Sequence, residues 1–333
     1  MQRRALLGGM LAAGLVFGTG AANAQTPADF YKGKTLTWIV STGPGGGHDF
    51  YARLILKHMA KLMPDTTLIV KNVGGAGHIM GANMVYHSKP DGLTIGSFST
   101  GLVYGQIVGM QGIQFDLGKM SWIGKASSDT RVMMVSTKSP VKTLDDMRNP
   151  NRQALFVTSG IGSGSYIEAN MVTRAFNLNS KFLTGYVGNE GAMSMLRGES
   201  DATLDGAETS LELVNQGGGK LIMQFGKDLP GVPDGRDFAK TDDALKIVSL
   251  LEAQSILARI TAGPPGVPQD RLDYLREMYR QTLESPDLRA DAQKAKRTIK
   301  PMYGDEVGVA IQKALNQPDD VVALLKSLVT KID

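Results

Sequence analysis

Along the N-terminal part of the chain, short apolar runs alternate with amphipathic ones, the pattern of an α/β protein. "TLTWIV" (35–40) predicts a buried strand. Residues 50–63 predict a helix with Tyr51, Leu54, Ile55, His58, Met59 and Leu62 on one face, stopped by Pro64 and Asp65. "TTLIVKNV" reads as the next strand, "GGAGHIMGANMVYHS" as a glycine-led helix, "KPDG" as a turn and "LTIGSFS" as a third strand. This β-α-β-α-β order predicts a parallel sheet with right-handed crossovers.

The pattern restarts near "RVMMVST" (131–137). "SPVKTLDDMRNP" predicts a turn and a short helix. "ALFVTSGIGSGSYIEANMVTRAF" (154–176) predicts strand, glycine–serine loop and helix. "GAMSMLRGESDATLDG" (191–206) predicts a helix and a short strand, and "KLIMQFG" (220–226) a further strand. "LPGVPDGRDF" reads as a surface loop. "VPQDRLDYLREMYRQTL" (267–283) predicts a helix with Pro268 near its start and Asp270 in its first turn. A charged, helical C-terminal region follows, with no low-complexity segment and no short-period repeat.

Two segments share one plan: "LTWIV-STGPGGGHD-FYARL" and "ALFV-TSGIGSGS-YIEANM" each run from apolar strand through a Ser/Thr-Gly loop into an amphipathic helix. In parallel α/β sheets ligands bind beyond the carboxyl ends of strands. That rule selects Ser41, Thr42, Gly43, Pro44, Gly45, Gly46, His48 and Asp49 in the first loop. It selects Ser159, Gly160, Gly162, Ser163, Ser165 and Tyr166 in the second, and Ser99 and Thr100 after the third strand. A helix N-terminus exposes unpaired N–H groups and a partial positive charge, and glycines let an anion approach them. Hydroxyls of Ser41, Thr42, Ser159 and Ser163 add hydrogen bonds, and Pro44 stiffens the first loop. Two opposed helix starts therefore suit a small carboxylate without an arginine. The competing reading, glycines that only make tight turns, accounts for either loop alone but less well for a matched pair. Asp49 reads first as a helix N-terminal cap. His48 beside it reads as a ligand contact, with metal binding a distant third. His58, on an apolar helix face, reads as a half-buried core residue. Tyr186 and Asp205 either line the second side of the cleft or serve packing and a turn.

Composition narrows the functional classes. The 333 residues are 42% hydrophobic and 20% charged, enough for one large or two medium domains, and the 40 glycines cluster in loops. Lys+Arg 36 against Asp+Glu 32 gives +4; without Arg3 and Arg4 the balance is 34 against 32, or +2. So small a balance argues against a nucleic-acid or polybasic membrane binder. Residues 1–24 have a basic start, an apolar middle and the small-residue ending "ANA", which predicts an export signal cut after Ala24 and a periplasmic protein. The "RRALL" start also resembles a twin-arginine signal. With no cysteine, thiolate catalysis and Cys-ligated zinc are excluded. "GGAGHIMG" has the spacing G-x-G-x-x-x-G, not that of a dinucleotide loop, and neither glycine loop ends in G-K-[ST]. Ser163 has Ile161 two residues before it, so it is no nucleophile elbow, and no H-x-x-x-H pair occurs. Neither a catalytic set, a cofactor nor a metal site is predicted.

Four segments carry a family likeness: "GPGGGHDFYARLILKHM", "VKNVGGAGHIMGANMVY" with "KPDGLTIG", "GYVGNEGAMSMLRGESDATLDG" and "AGPPGVPQDRLDYL". Over nearly the whole mature chain the sequence resembles the periplasmic solute-binding proteins of tripartite tricarboxylate transporters, the Bug or TctC-like proteins. The resemblance implies a two-domain periplasmic-binding-protein fold, type II-like, closing like a flytrap on a cleft. It implies a discontinuous first domain, 26–128 plus 257–333, and a second at 129–256. Family members bind small carboxylates through ordered waters and the backbone of two loops, matched here by Ser41 to Asp49 and Ser159 to Tyr166. They deliver them to a permease of one large and one small membrane subunit, and a monomer is expected. The chain departs from the family at Ser41-Thr42-Gly43, at Tyr166 where histidine is common, and at His78 where glycine is frequent. A ring at Tyr166 suits stacking on an aromatic acid, so di- and tricarboxylates and aromatic acids all remain open. Two alternatives stand beside transport: a sensory subunit presenting its ligand to a membrane receptor, and a periplasmic hydrolase, for which no nucleophile–base set is evident.

Overall fold

The computed structural model describes residues 26–186 and 189–329. The export signal and its cut after Ala24 lie outside the described residues. Thr26 caps a first helical turn, α1 (Pro27–Tyr31), by accepting from the Asp29 N–H. β1 (Thr35–Val40), α2 (Gly47–Met59), β2 (Thr67–Asn72), α3 (Ile79–Tyr86) and β3 (Thr94–Phe98) follow in the predicted order. β1 pairs parallel with both β2 and β3, so Val40 stands opposite Asn72 on one side and Ser97 on the other. α2 starts earlier than the apolar pattern predicts, because Gly46 is already its extended N-cap. It also ends earlier, at Met59, so Leu62 turns outward and is 37% exposed while Met63 is buried. His58, expected half-buried, is 4% exposed, and its Nε2 lies 2.9 Å from Asp291 Oδ2.

After α4 (Gly101–Val108) and β4 (Ser121–Lys125) the chain crosses to a second sheet. Its elements are β5 (Arg131–Ser136), β6 (Ala154–Val157), α5 (Gly164–Ala175), β7 (Ser180–Leu183), α6 (Glu190–Arg197), β8 (Ala202–Gly206), α7 (Ala207–Asn215) and β9 (Gly219–Phe225). The strand order is β7-β6-β8-β5-β9. β6 lies parallel to β7 and β8, but β5 runs antiparallel to both β8 and β9. The loop expected at 229–238 is partly helical: Asp234 caps α8 (Gly235–Phe238). Buried Gln224 pins the rest, donating from Nε2 to Leu229 O at 2.8 Å and Val232 O at 2.7 Å.

α9 (Asp242–Ile256) returns the chain to the first sheet as β10 (Ile260–Gly263). Then come α10 (Gln269–Glu284), α11 (Pro286–Lys294), β11 (Met302–Tyr303), α12 (Asp305–Leu315) and α13 (Asp319–Val329). The six-stranded order is β11-β4-β10-β3-β1-β2, with β10 antiparallel to both neighbours and β11 antiparallel to β4. Helices cover both faces. Trp38, Tyr51, Ile55, Leu275 and Tyr279 pack on one side, and Phe98, Trp122, Val307 and Ile311 on the other. The second sheet buries Met133, Phe156, Ile167, Leu204, Phe225 and the apolar stripe of α9. Val321, Leu324, Leu325 and Leu328 of α13 join this second core, although the expected division places 257–333 with the first unit. Each such buried side chain stabilises by about 1.5–3 kcal/mol, and α13 packs against both α4 and α5, so the C-terminal helix bridges the two sheets' helical layers.

Candidate functional site

The carboxyl ends of β1, β3, β6 and β8 point toward one cavity between the sheets, and α2, α4, α5 and α7 begin there. Thr42, Gly43, Gly46, Gly47, Ser99 and Thr100 line it from the first sheet. Ser159, Ser165, Asp205 and Thr209 line it from the second. The N-caps of α2, α4 and α7 (Gly46, Thr100 and Gly206) make no side-chain cap hydrogen bond. First-turn N–H groups of a helix have no partner within the helix; those of α4 bond Ser99 and Thr100, Ala207 and Glu208 N–H of α7 bond Thr130 O and Asp129 Oδ1, and the start of α2 is the one that leaves its donors toward the cavity. α5 differs: Ser163 Oγ caps it by accepting from Tyr166 N–H at 3.2 Å.

Two arginines occupy the cavity wall, against the expectation that none was needed. Arg131 Nε donates to Glu168 Oε2 at 2.9 Å, Nη2 reaches the same oxygen, and Nη1 lies 3.5 Å from Asp205 Oδ1. Arg259 Nη2 donates to Asp129 Oδ2 at 2.6 Å. Both pairs are buried: side-chain exposures are 15% and 2% for Arg131 and Glu168, and 11% and 3% for Arg259 and Asp129. Burial pushes the Glu168 carboxyl above its ordinary range, with Arg131 opposing. The arginines escape the carboxyl-end rule because their strands run backwards. Arg131 opens β5 opposite Gly206, the last residue of β8. Arg259 precedes Ile260, which pairs with Phe98 at the end of β3. An antiparallel strand brings its amino end to the edge where parallel neighbours bring their carboxyl ends. An arginine at the start of an apolar run was the available signal.

Close approach explains two glycines. A Cβ on Gly206 would stand 1.9 Å from Asp129 Oδ2, and one on Gly47 2.5 Å from Arg259 Nη2. The ion pair is thus seated between the starts of α2 and α7. Arg259 itself has φ +60° and His78, also on the wall, φ +79°. Left-handed backbone costs a non-glycine residue roughly 1–2 kcal/mol, a cost both residues carry at the wall. Burial, then Arg259, hold His48 well below the ordinary imidazole range. Burial lowers His78 to about 4. Both rings are neutral near pH 7, and the Nδ1 atoms of both lack a hydrogen-bond partner. Gln254 Nε2 donates to Thr100 Oγ1 at 2.9 Å, while its Oε1 is buried and unpartnered.

Of the residues selected from the sequence, Thr42, Gly43, Gly46, His48, Ser99, Thr100, Ser159, Ser165 and Asp205 come together on the cavity. Ser41, Pro44, Gly45, Asp49, Gly160, Gly162, Ser163 and Tyr166 do not line it. Ser41 is buried, donating to Ser97 O at 2.9 Å. Asp49 sits in the first turn of α2, not at its N-cap. It accepts from Gly45 N–H, one residue before the Gly46 N-cap, at 3.0 Å and pairs with Arg53 at 2.9 Å, so it ties the loop to the first turn of α2. Tyr166 is 7% exposed and packs edge-on against Phe182 at 5.4 Å, which leaves no ring face for stacking a ligand. Gly162, at φ +81°, faces Met110, and Gly160 only supports the turn. Tyr186 lines an adjoining chamber. Sequence reasoning missed His78, Asp129, Arg131, Glu168, Thr209, Gln254, Ala258 and Arg259 on the wall.

Known proteins share this architecture. A protein of Cupriavidus necator, the UPF0065 protein in the gbd 5′ region, is 24% identical over 317 residues, 91% of each chain. The periplasmic binding protein BugD superposes with TM-score 0.73 at 17% identity, covering 90% of this chain and 98% of its own. MatC from Rhodopseudomonas palustris, solved with bound malate, superposes with TM-score 0.71 at 19% identity, covering 87% and 99%. A sequence model of the tripartite tricarboxylate transporter family receptors, TctC, matches residues 51–323. With most of its length inside that match and two α/β sheets closing on one cavity, the chain belongs to the TctC family of periplasmic solute-binding receptors.

Proposed function

We propose that the cavity captures the carboxylate of a small acid and that the loaded protein delivers it to a tripartite carrier with one large and one small membrane subunit. The observation that supports this most is the start of α2 on the cavity, where Gly46 gives the helix no side-chain cap and Gly43, Gly46 and Gly47 line the wall. Backbone N–H groups and the helix dipole favour a negative charge there. Thr42, Ser99, Thr100, Ser159 and Ser165 add hydroxyls of both signs of hydrogen bonding. Malate bound to MatC makes a carboxylate the natural first choice.

The binding unit is a periplasmic monomer released by cleavage after Ala24. Residues 26–128 and 257–333 form one domain and 129–256 the other, with α13 strapped across them. The chain crosses between the two units at 126–130 and 256–259. Thermal denaturation of the full chain with mono-, di- and tricarboxylates tests the reading, since a ligand specific for the folded state raises the melting temperature. At least one acid should raise it, and the acid should be recovered chemically unchanged. A panel without any shift removes the carboxylate assignment, and turnover removes the binding-protein role.

A further inference from the structure

A ring of contacts behind the cavity joins the two sheets' layers. α2 packs on β1, β2 and β3 of the first sheet, and α7 on β5, β8 and β9 of the second. Glu208 stands in the first turn of α7, and its carboxylate reaches the first layer. Oε1 accepts from Thr298 N–H at 2.7 Å and from Thr298 Oγ1 at 2.8 Å. The Tyr51 hydroxyl of α2 lies 2.9 Å from Oε1 and 3.0 Å from Oε2, and its single proton is shared with Thr298 O at 2.7 Å. Burial, then the Glu208 charge, hold the Tyr51 phenol above its ordinary range, so it keeps that proton to donate. Arg297 places Nη1 3.9 Å from Glu208 Oε2 and donates from Nη2 to Glu212 Oε1 at 2.6 Å.

The path back runs through the cavity wall. Glu208 N–H donates to Asp129 Oδ1 at 3.3 Å, Asp129 Oδ2 accepts from Arg259, and the Arg259 guanidinium lies 5.4 Å from the centre of the Tyr51 ring. A cation within about 6 Å of a ring face is attracted to it. Asp129 and Arg259 line the cavity; Glu208 and Tyr51 stand behind it.

This cluster is expensive for a contact that only stabilises. The Glu208 and Arg297 side chains are 9% and 7% exposed, and a buried charge gives up its hydration. Each sheet already has its own apolar core. What a polar contact supplies is reversibility. When two layers part, water replaces each hydrogen bond, whereas exposed apolar surface opposes the parting.

We propose that Glu208 is a latch: a positioning residue on the second unit that grips Tyr51 and Thr298 of the first and so sets the distance between the two cavity walls. The latch goes beyond the carboxylate reading, because its first test needs no ligand.

The test is small-angle X-ray scattering of the full chain, followed by calorimetric titration with the acids that bind the natural protein. Glu208→Ala should raise the radius of gyration by about 1 Å on roughly 20 Å. It should weaken every acid by one common factor, roughly tenfold if about one molecule in ten keeps the closed setting. Tyr51→Phe removes one oxygen and keeps the ring beneath Arg259. It should move both readings the same way by less, about threefold in affinity, and it decides alone if Glu208→Ala does not fold. Ser163→Ala, a cap within the second unit, is the control for stability: a lower melting temperature with unchanged scattering. Natural-like scattering in the folded latch variants overturns the latch, whatever their melting temperatures. Weakening of some acids and not others makes Glu208 a ligand contact and overturns it too. If no acid binds the natural protein, the carboxylate reading fails and scattering alone decides the latch.

Discussion

The two glycine loops look alike in sequence and differ in what they leave free. The first, 41–49, turns into α2 through Gly46, which has no side chain to cap the helix. Asp49 and Asn72 hold the loop from behind: Asn72 Nδ2 donates to Thr42 O at 3.2 Å and to Asp49 Oδ1 at 3.0 Å. The amides on the cavity side stay open. The second, 159–166, satisfies itself. Ser163 caps α5, Ser165 Oγ accepts from Ser159 N–H at 3.0 Å, and the Ser163 and Ser165 hydroxyls lie 3.1 Å apart. Serines in place of glycines turn an open amide cradle into a closed hydrogen-bonded turn. A matched pair of loops is thus an asymmetric clamp, with amides offered from one side and hydroxyls from the other.

The comparison breaks most severely where the second loop leans on the first sheet's side. A Cβ on Gly101 would stand 2.2 Å from Gly164 Cα, so the starts of α4 and α5 touch backbone to backbone. Gly101→Ala should cost about 1–3 kcal/mol by overpacking, read as a lower midpoint in urea, and should weaken ligand binding. An unchanged midpoint would mean that the two starts are free to separate. Next in size, Ser163→Ala should cost about 1 kcal/mol through the lost cap. Thr42→Val in the first loop loses one long hydrogen bond, Oγ1 to Gly43 O at 3.2 Å, and should cost less stability than Ser163→Ala while lowering affinity for the acid. Equal stability losses in the two variants would erase the asymmetry.

The smallest effect is a pH slope. His78 lies near 4 in the folded state and near 6.5 unfolded, so the unfolded chain binds more protons between those values. The stability linked to a neutral His78 is fully present above about pH 6.5 and is lost as pH falls toward 4. Melting temperatures measured over that window should fall less steeply in His78→Gln than in the natural chain. Parallel slopes would place His78 outside the linkage.

Much of the first sheet was legible because it is local. Apolar runs such as 35–40, turn residues such as "KPDG", and helix periodicity at Tyr51, Leu54, Ile55 and Met59 each act within a few residues. Burial confirms that face. Leu62 failed the pattern because periodicity continues past the point where the backbone leaves the helix. Tyr166 failed because one step along α5 separates a side chain facing the cavity, Ser165, from one facing the core. Adjacent helix residues point about 100° apart, and a loop motif does not carry that phase.

By itself the sequence determined the alternation of strands and helices, the two Ser/Thr-Gly loops at helix starts, the absence of cysteine chemistry and the family likeness. Each depends on residue identity or on neighbours close in the chain. Tertiary structure alone decided that Arg131 and Arg259 reach the cavity already paired and that α13 joins the second core. Those facts depend on strand direction and on residues far apart in the chain, such as Asp129 and Arg259. No local pattern encodes which distant groups share a wall, because that is set by packing of the whole fold.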